Sequence, residues 1–99
     1  MSTKDKVEQY IKEHKVFIAS KSYCPFCKRA KDLLRSLDVE FFAIELDQIP
    51  DGAEIQDILE EITKQRTVPN IFINGVHVGG CDDLFKAHDS GKLKELLGQ

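Results

Sequence analysis

The sequence predicts an α/β fold, a four-stranded mixed sheet flanked by helices, formed by one domain over residues 1–99. Three observations predict it. Two short apolar runs, Val16–Ala19 and Phe41–Ile44, enclose a stretch of helical periodicity. Such a strand–helix–strand unit closes by a right-handed crossover and gives a parallel pair. Asn74-Gly75, between Ile71-Phe72-Ile73 and Val76-His77-Val78, marks a β-hairpin and adds an antiparallel pair. Helical stripes before, between and after these strands supply the cover that a sheet needs.

Each element has its own signal. Ser2 and Thr3 are capping residues for a first helix, in which Val7, Tyr10, Ile11 and His14 recur at helical spacing. Val16-Phe17-Ile18-Ala19 has the continuous apolar pattern of a strand buried on both faces. Beyond Tyr23-Cys24-Pro25, the residues Cys27, Ala30, Leu33, Leu34 and Leu37 trace one face of a second helix. Phe41-Phe42-Ala43-Ile44 reads as a second buried strand. Asp51-Gly52 ends a turn, and Ile55, Ile58, Leu59 and Ile62 form the stripe of a third helix. Gly79-Gly80 breaks the last strand; Leu84, Phe85, Leu93, Leu96 and Leu97 then predict one or two closing helices.

Composition removes several function classes. With 41% hydrophobic residues, the chain has apolar surface enough to offset its conformational entropy, which argues against disorder. A net charge of −3 provides no global basic field for nucleic acid or an anionic membrane. The longest apolar run is four residues, far short of the ~18 that a membrane helix needs. The polar start, Met1-Ser2-Thr3-Lys4-Asp5, carries no secretion signal, so the expected location is cytoplasmic. Three cysteines cannot pair completely, and thiols in a reducing compartment are more often catalytic or metal-binding than structural. No sustained heptad or spare apolar stripe remains once the core is assigned, which predicts a monomer.

Cys24-Pro25-Phe26-Cys27 stands where the first strand gives way to the second helix. Proline suits the first helical turn, which makes Cys24 the N-cap, its sulfur facing free backbone N–H groups and the positive end of the helix dipole. A thiolate is stabilised there, and Lys21, Lys28 and Arg29 add positive charge nearby in sequence. Cys27 instead opens the apolar stripe and is slower to ionise. The asymmetry makes Cys24 the attacking thiol and Cys27 the one that resolves a mixed disulfide. A Cys-x-x-Cys pair in a strand–helix–strand unit is the context of a thioredoxin-like redox motif.

Two further segments carry chemistry. In Thr67-Val68-Pro69 the proline forces Val68 into an extended conformation, so that Val68 offers its N–H and C=O to an extended peptide; a plain edge-strand start fits equally. In Gly79-Gly80-Cys81-Asp82-Asp83 the glycines allow close backbone approach and a helix start offers N–H groups to a carboxylate; a simple cap with Asp82 or Asp83 as the acid also fits. A zinc site from Cys24, Cys27, His77 and Cys81 is the rival chemistry. Against it, Cys27 belongs to an apolar face, and alternation turns His77 away from Val76 and Val78 to a solvated face. His14 and His88 read as surface residues, and Glu60-Glu61 as a solvated helix face.

Taken together, the chain resembles a glutaredoxin along its whole length. Cys-Pro-Phe-Cys at 24–27 is similar to that family's dithiol site, where the third position is more often tyrosine. The blocks 66–75 (Arg-Thr-Val-Pro-Asn-Ile-Phe-Ile-Asn-Gly) and 78–84 (Val-Gly-Gly-Cys-Asp-Asp-Leu) match its other signatures in order and spacing. The resemblance implies a three-layer thioredoxin-like fold, a cis Pro69 facing Cys24, and glutathione as reducing co-substrate with no bound cofactor. It implies that Lys21 and Gln65 hold the glycyl carboxylate of glutathione, that Val68 pairs with its cysteinyl backbone, and that Cys81 and Asp82 bind its γ-glutamyl end. Tyr23, Phe26, Thr67, Pro69 and Gly80 would shape the groove. The implied reaction is reduction of glutathionylated or disulfide-containing proteins. Some relatives bridge an iron–sulfur cluster between two subunits, which Pro25 disfavours in the family. Three departures stand out: Phe26 lacks the tyrosine hydroxyl, Lys64 replaces a frequent glycine, and Asp82 replaces a common serine or threonine.

Overall fold

The computed structural model describes residues 2–99. Helix α1 (Thr3–Glu13) opens at Ser2, whose hydroxyl accepts the Asp5 N–H at 3.1 Å while the Asp5 carboxylate accepts the Ser2 N–H at 3.4 Å. This reciprocal cap satisfies donors that a helix start leaves free. His14 ends the helix in an extended conformation instead of prolonging its stripe, and its ring stacks on Phe42 at 4.0 Å.

Strands β1 (Val16–Ser20), β2 (Phe42–Glu45), β3 (Asn70–Ile73) and β4 (Val76–Gly79) form one sheet in the order β2-β1-β3-β4. Helix α2 (Pro25–Ser36) is the crossover of the parallel pair β1–β2; β1–β3 and β3–β4 are antiparallel. Alternation along β1 sorts the core into two layers. Val16 and Ile18 meet Ala30 and Leu34 of α2, with Leu84 of α4 (Cys81–Ser90) and Leu93 and Leu97 of α5 (Lys92–Leu97). Phe17 and Ala19 meet Val7 of α1, with Ile55 and Leu59 of α3 (Gly52–Thr63). The expected mixed sheet with helices on both faces is the observed architecture.

The edges depart from expectation. The second strand begins at Phe42 and runs to Glu45, and only Ile44 in it is buried. As an edge strand it has one neighbour, so Phe42 and Ala43 keep partial access to solvent. Val76 on the opposite edge is 48% exposed. On α2 the stripe narrows to Cys27, Ala30 and Leu34, since Leu37 lies past the helix end; on α3, Ile62 is exposed in the last turn.

Turn chemistry fixes the rest. Asn74 and Gly75 both have positive φ, as a two-residue hairpin turn requires, and Asn74 Nδ2 donates to the Leu96 carbonyl at 2.6 Å. Between β2 and α3 a single 3-10 turn (Leu46–Gln48) presses so closely on Gly52 that a Cβ there would sit 1.8 Å from the Leu46 carbonyl oxygen. The consequence for function is topological. Ser20 pairs with Glu45, Ala19 with Asn70, and Ile71 with Gly79, so the ends of β1, β2 and β4 and the start of β3 meet at one end of the sheet.

Candidate active site

Cys24 is the N-cap of α2, extended at φ −87° and followed by Pro25 in the first turn. The Cys27 N–H donates to Cys24 Sγ at 3.2 Å, so the sulfur takes a donor that the helix start leaves free. Cys24 Sγ also lies 3.8 Å from the Val68 carbonyl oxygen, which brings the Thr67-Val68-Pro69 segment against the thiol. The Val68–Pro69 peptide bond is cis. Cys27 is 1% exposed, and burial, then the hydrogen bond with Cys24, pushes its thiol up to about 11. Near neutral pH Cys27 therefore rests protonated. One thiol is presented at a helix start and the other is withheld in the core.

Beside Cys24 runs a groove of about 400 Å³, lined by Phe26, Gln65, Thr67, Val68, Pro69, Gly80, Cys81, Asp82 and Asp83. Eight of these nine are among the predicted residues. The addition, Asp83, settles which acid caps α4: its Oδ2 accepts the Gly80 N–H at 3.0 Å, leaving Asp82 exposed at the groove. Gly79 has φ +121°, a conformation that favours glycine, and a Cβ there would also meet Asp83 Oδ2 at 2.2 Å. Cys81 is 5% exposed, and burial pushes its thiol up while Arg29 acts in the opposite direction. Lys21 and Tyr23 lie outside the groove wall, in the loop before Cys24, and Tyr23 is 70% exposed.

Two of the three cations near the motif are engaged elsewhere. Lys28 Nζ lies 2.8 Å from the Asp32 carboxylate, and Arg29 lies over the Phe85 ring at 5.3 Å. The donor that the structure places on the Cys24 sulfur is the Cys27 N–H of the helix start. His77 is a correction of another kind. It lies exposed on the expected face, against the Phe72 ring, yet its Nε2 is 2.8 Å from Asn70 Oδ1 and burial lowers its pKa. Among the described residues, no three His, Cys, Asp or Glu side chains stand together as a metal-ligand set.

Sequence reasoning missed the polar residues that hold the groove. Asn70 is 2% exposed; its Oδ1 meets His77 and its Nδ2 donates to Thr63 Oγ1 at 3.4 Å. Thr63 Oγ1 in turn accepts the Gln65 N–H at 3.0 Å, and Gln65 Nε2 donates to the Thr67 and Pro69 carbonyls, each at 3.1 Å. A partly buried chain of hydrogen bonds thereby runs from β4 to the groove floor. The one available signal was a polar Asn70 opening an otherwise apolar strand, since a buried amide needs partners.

A protein-family model described as Glutaredoxin matches residues 16–78. The chain is 53% identical over 94 residues to Glutaredoxin-1 of Rhizophagus irregularis, covering 95% of this chain and 93% of that protein. It is 52% identical to Glutaredoxin-C4 of Arabidopsis thaliana, over 95% of this chain and 70% of that one. The crystal structure of a buckwheat glutaredoxin–glutathione complex superposes with a TM-score of 0.93 at 43% identity, covering 96% of this chain and 86% of that chain. With this fold, an intact Cys24–Cys27 pair and half its residues shared with those relatives, the chain belongs to the glutaredoxin family of glutathione-dependent thiol–disulfide oxidoreductases.

Proposed function

We propose that the protein reduces protein–glutathione mixed disulfides, with Cys24 as nucleophile, and protein disulfides through the Cys24–Cys27 pair. The observation that carries this reading is the difference between the two thiols: Cys24 Sγ takes a helix-start N–H, whereas Cys27 is buried and held protonated. Cys24 thiolate attacks the glutathione sulfur of the substrate, the protein thiol leaves, and Cys24–S–S–glutathione forms. A second glutathione then attacks this bond and restores the thiolate. In the dithiol branch Cys27 displaces glutathione and closes a Cys24–Cys27 disulfide, which glutathione later reduces.

Glutathione would lie along the groove with its cysteinyl backbone on Val68 and its γ-glutamyl end at Gly80, Cys81 and Asp82. That end suits a carboxylate because α4 begins there. Gln65 reaches the glycyl carboxylate by releasing one of its two carbonyl acceptors, and Lys21 from the loop before Cys24. The reading includes a monomer working in the cytoplasm, where cysteines are more often catalytic than structural.

The test is glutathione-dependent reduction of a glutathionylated protein by wild type, Cys24→Ser and Cys27→Ser. The expected result is no activity in Cys24→Ser and substantial activity in Cys27→Ser. An inactive wild type, or an active Cys24→Ser, overturns the assignment.

A further inference from the structure

Strands β1 and β2 end side by side, with Ser20 paired in register with Glu45. The pair is locked: the Ser20 hydroxyl donates to Glu45 Oε1 at 2.9 Å, and Lys31 Nζ of α2 donates to Oε2 at 2.7 Å. Both strands leave the sheet here, and two residues further on they carry Ser22 and Asp47. Parallel strands that end together send their continuations out together, so these two residues, 25 apart in sequence, meet.

Ser22 belongs to the turn that delivers Cys24. The Cys24 N–H donates to the Lys21 carbonyl at 3.0 Å, which closes a four-residue turn over residues 21–24. Such a turn uses the carbonyl of its first residue and the N–H of its last, and leaves the N–H of its second residue for another acceptor. Asp47 is that acceptor. Its Oδ1 takes the Ser22 N–H at 2.9 Å, and its Oδ2 takes the Ser22 hydroxyl. Both residues are exposed, and this two-point, charge-assisted attachment is what holds against competing water. The Ser22 hydroxyl, then its N–H, keeps the Asp47 carboxyl below the usual carboxylate range. The anchor is firm on its other side as well. Asp47 lies in the 3-10 turn Leu46–Gln48, and Leu46 is buried in the core layer that holds Ile55 and Leu59 of α3.

By charge alone Asp47 is misplaced. The site has to stabilise a thiolate and accept an anionic tripeptide, and a carboxylate bonded two residues from Cys24 opposes both. What it supplies is geometry. The attacking sulfur must line up with the S–S bond that breaks, and a misplacement of about 1 Å can cost on the order of 10²-fold in rate.

We propose that Asp47 is the positioning residue of the active-site turn: by clamping Ser22 it sets the line on which Cys24 approaches the glutathione sulfur of the substrate. The proposal rests on the reading of Cys24 as the nucleophile. Asp47 acts through Ser22 and the turn, not on the reacting sulfurs.

The experiment measures kcat/KM for a glutathionylated peptide, with the folded fraction of each sample taken from circular dichroism. Wild type, Asp47→Ala, Asp47→Asn, Ser22→Ala, Ser22→Thr, Cys24→Ser and the Asp47→Ala/Ser22→Ala double variant are compared. Asp47→Ala should lower kcat/KM by on the order of tenfold in folded protein, and Ser22→Ala by less, since its N–H bond survives. Asp47→Asn keeps an oxygen for the Ser22 N–H and an amide that donates to the hydroxyl, so it should recover most of the loss. Ser22→Thr keeps the hydroxyl and should match wild type. In the Asp47→Ala background, Ser22→Ala should cost nothing more, because the partner of the hydroxyl is already gone. A carboxylate acting only by its charge gives the opposite sign: Asp47→Ala and Asp47→Asn would both outpace wild type, which overturns the proposal. Wild-type activity in Asp47→Ala, equal losses in Asp47→Ala and Asp47→Asn, or a loss that tracks the unfolded fraction also overturns it. An inactive wild type or an active Cys24→Ser overturns instead the reading of Cys24 on which it rests.

Discussion

The two ends of the sheet make an instructive pair. The hairpin end holds the larger cavity, about 860 Å³ among α1, the last turn of α3 and the Asn74-Gly75 turn. The thiol end holds a groove of about 400 Å³. Volume would rank them in the wrong order for function. The hairpin-end cavity is walled by Ile11, Ile62 and Phe72 with a mixed rim of lysines and glutamates, and has no thiol and no start of α2 or α4. The smaller groove brings together the start of α4 and the Val68 backbone, against which the N-cap thiol of α2 lies. Reactivity follows donors and nucleophiles placed together, and the sheet topology assembles them at only one of these two ends.

The sharpest way to break this comparison is to exchange side chains at both ends. Cys24→Ser should reduce turnover of a glutathionylated substrate to background. Lys12→Ala and Ile62→Ser, both on the larger cavity, should leave kcat/KM within about twofold of wild type, as surface changes away from a site do. A large loss in either hairpin-end variant would place function in that cavity too.

Asn70→Ala should give the next largest effect. It leaves Thr63 and His77 without their buried partner and loosens the turn that carries Gln65. The expected cost is about 1–3 kcal/mol of stability. Through Gln65 and the Thr67 and Pro69 carbonyls, KM for glutathione should rise more than kcat falls. Urea denaturation and steady-state kinetics check the two halves separately. An unchanged KM would mean that the network supports the fold alone.

How far the sequence foretold these two ends varies with the kind of interaction. Local rules carried most of the fold: the Asn74-Gly75 turn, the Ser2 cap and the Cys24–Pro25 helix start all lie where nearest-neighbour chemistry puts them. The groove residues followed from motif resemblance, and most of them do converge. What was illegible depends on pairing across distance. Lys28–Asp32 is a helical i,i+4 pair that spacing does show, whereas nothing near Arg29 says that Phe85 of α4 engages it. The Phe41–Ile44 run has the composition of a central strand, and only sheet order makes it an edge. Ser20, Glu45 and Lys31 are unremarkable in sequence; strand register pairs Ser20 with Glu45, and the packing of α2 on the sheet brings Lys31 to them.

A smaller effect separates the two thiols by pH. The folded chain holds the Cys27 proton more tightly than an unfolded thiol, whose ordinary value is 9.0, because burial penalises the charge. That contribution to stability is full below pH 9 and is lost as pH rises through about 11. Thermal denaturation of reduced wild type should therefore fall away more steeply than that of Cys27→Ala across this window. Parallel curves would show that Cys27 ionises as freely folded as unfolded.

The smallest expected change sits between the two ends, at Lys64. This residue caps α3 with φ +66° and ψ 12°, the left-handed conformation in which a side chain crowds the backbone. Its N–H still closes the helix on the Glu60 carbonyl at 2.7 Å, so the cap itself is sound and only the residue type is costly. Lys64→Gly keeps that bond and relieves the crowding, which should raise stability by about 1 kcal/mol, less the greater freedom glycine gives the unfolded chain. Lys64 is exposed and leads directly into Gln65, so the same variant also asks whether charge beside the groove matters. If stability rises while KM for glutathione stays constant, Lys64 acts only through its backbone. A rise in KM would show that its ammonium group draws the anionic tripeptide toward the thiol end.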